Sequence, residues 1–226
     1  MKRLSIIMTA VIAFAMQASA QFNSSNNHRY WGVRASYELA IPGDLEIGNG
    51  MKADMYGNGS GFNIGAIYHI PVVYNFYFEP GVNLAYNTWS INKGMVEDML
   101  RDKLGLDPDV TVSSASARMW DIRVPLMGGY HFDFFNDLRI SVFTGPELSM
   151  GINCRGHYGI AGLSLSQSYY GKVLNRFDVK WRFGAGVTFR DHYYASVSGA
   201  VGMCDRAHGP GSMRSDLFDI TLGYNF

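Results

Sequence analysis

Several features are scarce in this 226-residue sequence, and each scarcity narrows the class of protein. Charged residues make up only 17% of the chain, whereas soluble domains contain roughly 25%. The 19 acidic residues balance the 19 basic ones, so the charge gives no indication of nucleic-acid binding. Only two cysteines are present, which allows a single disulfide. No long apolar stretch follows residue 20, which excludes membrane-spanning helices from the rest of the sequence.

The amino terminus has the pattern of a secretory signal peptide. Residues 1–3 read Met-Lys-Arg, an apolar run extends over 4–16, and 18–20 read Ala-Ser-Ala. A positive start, an apolar run and a small-residue cleavage site are the three parts of such a peptide. No cysteine follows the cleavage site directly, so no lipoprotein anchor is expected. The sequence predicts a signal peptide over 1–20 and one domain over 21–226.

Aromatic residues and glycine are plentiful, and the mature chain alternates between large apolar and small or polar residues. Aromatics make up 14% of the chain, and there are 26 glycines. This composition favours a transmembrane β-barrel, with a secreted β-sandwich as the alternative. Each predicted strand can cross a bilayer at a tilt, which takes about 9–11 residues. The predicted strands span about 30–40, 60–70, 75–89, 116–131, 137–150, 178–190, 192–203 and 215–226.

The connections between these strands alternate between long and short. The long ones span 41–59, 90–115, 151–177 and 204–214, and the short ones 71–74, 132–136 and 191. Outer-membrane barrels have short periplasmic turns and longer extracellular loops. The sequence therefore predicts an all-β, eight-stranded antiparallel up-and-down transmembrane β-barrel with both termini in the periplasm.

The last strand predicts how the barrel closes and how it is assembled. Its large apolar residues occupy every second position: Phe218, Ile220, Leu222, Tyr224 and Phe226. Period-two alternation puts all five on one face, which we expect to contact lipid while the strand pairs with 30–40. A terminal strand of this kind resembles the C-terminal signal read by the barrel assembly machinery. That machinery is therefore a predicted partner during biogenesis.

The opposite, inward faces of the predicted strands carry acids and bases in near balance. A narrow lumen is filled by side chains, and desolvated opposite charges must pair because an unpaired one costs several kcal/mol. This pattern predicts a closed, salt-bridged polar core; a narrow gated ion pathway is the alternative. The predicted network consists of Arg34, Glu38, Glu79, Asp121, Arg123, Arg139, Glu147, Lys180, Arg182, Arg190 and Asp219.

Short strand motifs carry a resemblance to a known family. The motifs are IRVPLMGGYHF (122–132), FTGPELSMG (143–151), WRFGAGV (181–187), WGVRASYEL (31–39) and FYFEPGVNLAY (76–86). They resemble strand motifs of the PorT-like outer-membrane β-barrel family of Bacteroidota. The resemblance implies a small outer-membrane barrel without catalytic residues. One branch of that family serves a secretion system.

Two Cys–His pairs fall in predicted extracellular regions. Cys154 is followed by His157, and Cys204 by His208. These spacings are compatible with metal ligation by thiolate and imidazole, although only as a weak candidate site. A disulfide between Cys154 and Cys204 would tie two loops together, and two free thiols are the third possibility.

Two of the long connections have compositions that suit contacts with a partner. Residues 94–104 show helical spacing of apolar residues, which predicts a short helix that caps the barrel mouth or docks a partner. The 151–177 connection is rich in Gly, Ser and Tyr, which suits adaptable contacts with sugars or proteins and equally a floppy loop. We expect an envelope protein to contact 41–59, 90–115 or 151–177.

These patterns predict an integral outer-membrane protein that is not an enzyme and needs no cofactor. We expect its loops to contact a partner in envelope structure, secretion or assembly. A small porin or solute channel is the first alternative. A rim-sited lipid-modifying enzyme is the second, although His69, His131 and His192 map to the periplasmic end. No Ser–acid partner is evident for His157 or His208, and a nucleophile needs a base within hydrogen-bond reach.

Overall fold

Long β-strands dominate the structure, a computed structural model. It describes residues 28–42, 45–47, 51–53, 56–94, 97, 112–135, 137–160, 163–170, 174–206, 211–212 and 214–226. The predicted signal peptide over 1–20 lies outside these residues. No helix among them is both long and apolar enough to cross a membrane.

The described residues form twelve strands, eight long and four short. In chain order they are β1 (Tyr30–Pro42), β2 (Leu45–Ile47), β3 (Met51–Ala53), β4 (Tyr56–Pro71), β5 (Phe76–Ile91), β6 (Val112–Phe135), β7 (Leu138–Ile160), β8 (Leu163–Ser168), β9 (Phe177–Phe189), β10 (Tyr193–Gly202), β11 (Gly211–Ser212) and β12 (Ser215–Asn225). The long strands β1, β4, β5, β6, β7, β9, β10 and β12 match the eight predicted strands.

The eight long strands form a closed antiparallel ring. Their order is β6-β5-β4-β1-β12-β10-β9-β7, and β6 also pairs with β7. The first and last long strands close the ring from Gly32 opposite Asn225 to Pro42 opposite Ser215. The predicted eight-stranded up-and-down barrel is thus confirmed, including the pairing of its terminal strands.

Tight connections mark one end of the barrel, which we call the turn end. They join β4 to β5, β6 to β7 and β9 to β10, as the alternation of short and long connections predicts. Two of them use left-handed backbone at residues other than glycine, namely Tyr74, with φ 51°, and Arg190 and Asp191, with φ 49° and 59°. The chain also enters β1 and leaves β12 at this end.

Strands continue past the barrel at the opposite end, which we call the extension end. Strand β7 runs to Ile160 and turns back as β8, which pairs with β7 from Arg155 opposite Ser168 to Ile160 opposite Leu163. The interpretation of 151–177 as a loop was therefore wrong for most of its length. It failed because its glycines and serines, read as loop residues, also fit a strand with few large side chains.

The other long connections also contain regular structure. Strands β2 and β3 lie within 41–59, and β2 pairs with β11 from the 204–214 connection. In 90–115, Lys93, Gly94 and Glu97 are helical, and Glu97 accepts a hydrogen bond from the backbone N–H of Val112 at 2.7 Å. The rest of the predicted 94–104 helix lies outside the described residues.

Large apolar side chains cover the outside of the ring. The five outward residues of the last strand are all exposed: Phe218, Ile220, Leu222, Tyr224 and Phe226. Aromatic pairs such as Trp31 with Tyr68 and Phe76 with Tyr130 lie near the turn end. Successive side chains of a strand point to opposite faces, so a shift of the strand pairing by one residue would point these apolar side chains into the lumen. Trp89 is buried inside the barrel, because it occupies an inward position in the alternating pattern of β5.

Candidate functional site

The centre of the lumen is occupied by a polar cluster to which all eight long strands contribute. We call it the central network: Glu38, Asn63, Asn87, Asp121, Arg123, Glu147, Arg182, Ser198 and Asp219. All nine side chains are buried. Each of these residues occupies an inward position of the alternating pattern. Their side chains therefore meet at the barrel axis, while their neighbours in sequence face the outside.

Glu38 is the acceptor at one side of the central network. The Nη1 atom of Arg123 lies 2.7 Å from its Oε1. The side-chain amides of Asn63 and Asn87 donate to its two oxygens at 2.6 and 3.1 Å. A fully buried carboxylate therefore has one cation and two neutral donors, which offset the cost of removing it from water.

Arg182 organises the other side. Its Nε donates to Glu147 at 2.9 Å and its Nη1 to the hydroxyl of Ser198 at 2.7 Å. It also forms an ion pair with Asp219, which accepts from Ser198 at 2.9 Å. The second oxygen of Glu147 lies 3.9 Å from Arg123. Glu147 thus links the two arginines into one continuous network across the lumen.

A second charged layer lies toward the extension end. Lys180 donates to Asp178 at 2.6 Å and to the backbone and hydroxyl oxygens of Ser215 at 3.0 and 2.7 Å. Arg206 approaches Asp178 at 3.7 Å. The hydroxyl of Tyr170 donates to Asp121 at 3.2 Å, which joins this layer to the central network.

A third layer lies toward the turn end and combines charge with stacked rings. Arg34 lies 4.0 Å from Glu79, and its guanidinium lies over the ring of Tyr194, 4.0 Å from the centroid. His69 lies 3.3 Å from Glu79 through Nδ1 and stacks on Tyr30 with centroids 4.4 Å apart. Rings therefore fill the lumen on this side.

An apolar cluster closes the extension end of the lumen, and we call it the plug: Trp89, Ile91, Val112, Ala115, Ala117, Met119, Cys154, Tyr169, Tyr170 and Leu174. Two glycines make room for its rings. A Cβ at Gly151 would collide with the ring of Tyr170, and one at Gly156 would lie 2.6 Å from the hydroxyl of Tyr169. The plug depends on small residues in the wall of β7.

Little empty space remains between these layers. A cavity of about 30 Å³ lies between the central network and the plug, and one of about 70 Å³ lies on the turn side. A water molecule needs roughly 10–15 Å³ measured in this way. Each of these two cavities therefore has room for only a few water molecules.

Of the eleven residues predicted for the lumen, nine are brought inside and two are not. Arg139 pairs with Asp133 at 2.9 Å and with Asp191 at 3.7 Å, and both acids are more than half exposed. Arg190 lies exposed in the turn before β10. Both residues lie at the rim of the turn end, because β7 begins and β9 ends there. At the rim, a side chain at an inward position of the alternating pattern no longer points into the lumen.

Cys154 and Cys204 are free thiols in the structure, and no disulfide joins them. Cys154 is buried in the plug because β7 extends past the barrel and turns it inward, whereas Cys204 is half-buried. The thiol of Cys154 is packed among apolar side chains, an environment in which a cysteine is structural rather than reactive. His157 faces outward from β7, and His208 lies outside the described residues. Among those described, no three His, Cys, Asp or Glu side chains gather as a metal site.

Sequence reasoning missed several residues that complete the three layers. Asn63, Asn87 and Asp178 stand at inward positions, so the alternation itself could have identified them. Arg206 and Tyr170 belong to connections that fold back over the extension end of the barrel. No pattern in the sequence around them indicates that their side chains enter the lumen.

The match to a protein-family model agrees with this architecture. The family model described as the outer membrane protein beta-barrel domain matches residues 17–203. No curated protein is significantly similar to the chain in sequence.

Solved structures similar to the chain include Ail, Neisserial surface protein A and the outer membrane protein OprG. Ail of Yersinia pestis, solved with the heparin analogue sucrose octasulfate, is 13% identical, with 88% of this chain and 100% of that chain covered and a TM-score of 0.41. Neisserial surface protein A is 11% identical, with 88% of this chain and 100% of that chain covered and a TM-score of 0.42. OprG of Pseudomonas aeruginosa is 10% identical, with 87% of this chain and 95% of that chain covered and a TM-score of 0.44. At these values the similarities carry no functional argument.

Proposed function

The chain belongs to the outer membrane protein beta-barrel domain family, and from that premise we propose that it is a closed, non-conducting outer-membrane barrel. Its task is to hold the β7–β8 hairpin outside the bilayer, where an extended segment of an envelope partner binds. In this function the barrel anchors the protein in the membrane, and the β7–β8 hairpin binds the partner.

The observation that carries this proposal is the filled lumen. The ion pairs of Glu38 with Arg123 and of Arg182 with Glu147 cross the lumen at 2.7 and 2.9 Å, and the plug covers them. Water-filled porins have wider barrels, whereas eight strands leave room only for side chains. The packing therefore supports an anchor over the alternative small porin.

The proposed orientation puts the extension end outside the cell and both termini in the periplasm. Outer-membrane barrels keep short turns on the periplasmic side and long connections outside. All three tight turns lie at the end where β1 begins and β12 ends. The lipid bilayer and, during biogenesis, the barrel assembly machinery are the other proposed partners.

The free edge of β8 is the proposed partner surface. The sheet that contains the barrel ends at β8, so its outer edge has no strand neighbour within the described residues. The N–H of Tyr169 donates to the carbonyl of Cys154 at 3.0 Å. Because backbone groups alternate in an antiparallel pair, those of Gln167 then point toward β7 and those of Ser166 point away. An extended peptide can add to such an edge.

A photo-crosslinking amino acid at Gln167, an exposed residue of β8, tests this function in intact cells of the source organism. We expect a discrete protein adduct there and none from the same probe at lipid-facing Ile64. Ser166→Pro removes an N–H from the free edge without removing a bond to β7, so it should abolish the adduct at unchanged barrel level. Persistence of the adduct in that variant, or its absence from the parent protein, would contradict β8 docking.

The resemblance to PorT-like barrels of Bacteroidota suggests that the partner belongs to a secretion or assembly system. It rests on the strand motifs at 31–39, 76–86, 122–132, 143–151 and 181–187. We propose no enzymatic activity. The histidines of the turn end are stacked among rings. The hydroxyl of Ser141, the register partner of His131, donates to the carbonyl of Gly186 rather than to a histidine.

A further inference from the structure

Three parallel rows of side chains cross the outer face of strands β4 to β7 near the extension end. The row nearest the barrel centre is aliphatic: Ile64, Leu84, Ile122 and Met150. The next is aromatic and ends in an amide: Phe62, Tyr86, Trp120 and Asn153. The third is hydroxylic and basic: Ser60, Thr88, Arg118, Arg155 and Ser168. Successive rows are two residues apart, about 7 Å along a strand, except on β7, where a bulge makes Met150 and Asn153 three positions apart.

This order of rows marks the position of a membrane interface. Aliphatic residues belong in the hydrocarbon, and aromatic residues concentrate at the level of the headgroups. The rings of Tyr86 and Trp120 pack with centroids 4.9 Å apart, and Phe62 lies 5.5 Å from Tyr86. Arg118 and Arg155 lie one step beyond this belt, at the level of lipid phosphates.

The two arginines are directly opposite each other on neighbouring strands. Arg118 is the register partner of Arg155, and both are exposed on the outer face. Directly opposed residues have Cβ atoms roughly 4.5–5.5 Å apart, and like charges at that distance destabilise a sheet. Neither guanidinium has an acidic partner within 4.0 Å in the part of the chain that the structure describes. The strand pairing thus forces together two cations that no acidic residue in the described part of the chain neutralises.

A groove on this face has the shape and chemistry to supply the missing anion. Its volume is about 500 Å³, and its walls include Arg118, Arg155, His157 and the aromatic residues Phe62, Tyr86 and Trp120. Arginine binds phosphate through two parallel N–H donors. The aromatic and aliphatic rows beneath it suit sugar rings and acyl chains. One ligand that combines a phosphate with acyl chains would satisfy all three rows.

We propose that Arg118, Arg155 and His157 bind the phosphorylated headgroup of a glycolipid in the membrane leaflet at the extension end. The phosphate lies between the two guanidinium groups, and the acyl chains run down over Trp120 and Ile122. Binding converts a repulsive pair of cations into a bridged one, so the wall of the barrel is stabilised where β6 and β7 leave the bilayer.

The test compares unfolding of the detergent-purified full chain with and without bisphosphorylated lipid A. A ligand that binds only the folded state stabilises it in proportion to the logarithm of concentration over Kd. We expect each of Arg118→Gln and Arg155→Gln to weaken lipid A binding about tenfold, as for one charge-assisted hydrogen bond. Arg214→Gln, an exposed arginine at the same end but beside β12, is the matched control and should bind as the parent does.

Two further arms separate the phosphate from the lipid and a local contact from a folding defect. Dephosphorylated lipid A and free inorganic phosphate should each stabilise the parent far less than lipid A. Without lipid, the Arg118→Gln, Arg155→Gln double variant should unfold at the same denaturant concentration as the parent or a higher one, because the repulsion is gone. Undiminished lipid A binding in the double variant, equal binding of dephosphorylated lipid A, or a lower lipid-free midpoint would overturn the proposal. None of these outcomes depends on whether a protein docks on β8.

Discussion

Replacing Arg123 with methionine should destabilise the folded barrel by about 3–5 kcal/mol, the range for removing one partner of a buried ion pair. Arg123 lies 2.7 Å from Glu38, 3.7 Å from Asp121 and 3.9 Å from Glu147. Its loss leaves the buried carboxylates of Glu38 and Asp121 without a described cation within 4.0 Å, whereas Glu147 keeps its ion pair with Arg182 at 2.9 Å. The measurement is urea unfolding in micelles or vesicles, followed by the gel mobility of the folded and unfolded forms.

Arg139→Met is the matched control for this prediction. Arg139 makes an ion pair of similar length, 2.9 Å to Asp133, but its side chain is 21% exposed, against 2% for Arg123. Exposed pairs contribute roughly 0–1 kcal/mol, so this variant should unfold almost as the parent does. A double variant, Arg123→Met with Glu38→Gln, should recover part of the loss because one of the unpaired carboxylates is gone. Equal losses in the two single variants would show that the lumen is hydrated.

Deleting Phe226 should reduce the amount of protein assembled in the outer membrane several-fold while leaving the finished barrel nearly as stable as before. The ring of Phe226 is 70% exposed, so its removal costs little packing. Its backbone N–H donates to the carbonyl of Trp31 at 2.8 Å, a bond that contributes about 0.5–1.5 kcal/mol. The larger effect is expected on recognition, because Phe226 completes the proposed assembly signal.

The measurement is the yield of folded protein in isolated outer membranes, together with the unfolding midpoint of the protein refolded from inclusion bodies. Phe132→Ala is the control, since it removes another exposed aromatic ring from the turn end but leaves the last strand intact. It should assemble at the parental level. Unchanged outer-membrane yield without Phe226 would mean that the terminal strand is not read in the way we propose.

The barrel could be predicted from the sequence because its physical cause is local. A strand with lipid on one side and polar neighbours on the other must alternate with period two, and each of the eight long strands does. The same alternation led to Glu38, Arg123, Glu147, Arg182 and Asp219, whose strands meet only when the ring closes. The side of the strand on which each of these residues lies follows from its immediate neighbours in sequence, even though its contacts come from strands that are distant in sequence.

The parts that could not be predicted depend on chain segments that return over the barrel mouth. Tyr170 and Arg206 enter the lumen from connections, and nothing in their neighbours indicates that direction. The β7–β8 hairpin was read as a loop because glycine and serine signal turns more strongly than strands. The glycolipid groove could be found only from the strand register, since Arg118 and Arg155 lie 37 positions apart along the chain.

Single-channel recording in planar bilayers tests most directly whether the barrel is a closed anchor. The full chain, refolded and shown to be inserted by its gel mobility and protease resistance, should add no discrete current steps over a wide range of voltage. A general porin inserted in the same bilayers provides the positive control. Reproducible open-state steps from the parent protein, lost when the preparation is unfolded, would contradict the closed lumen and return the molecule to the class of solute channels.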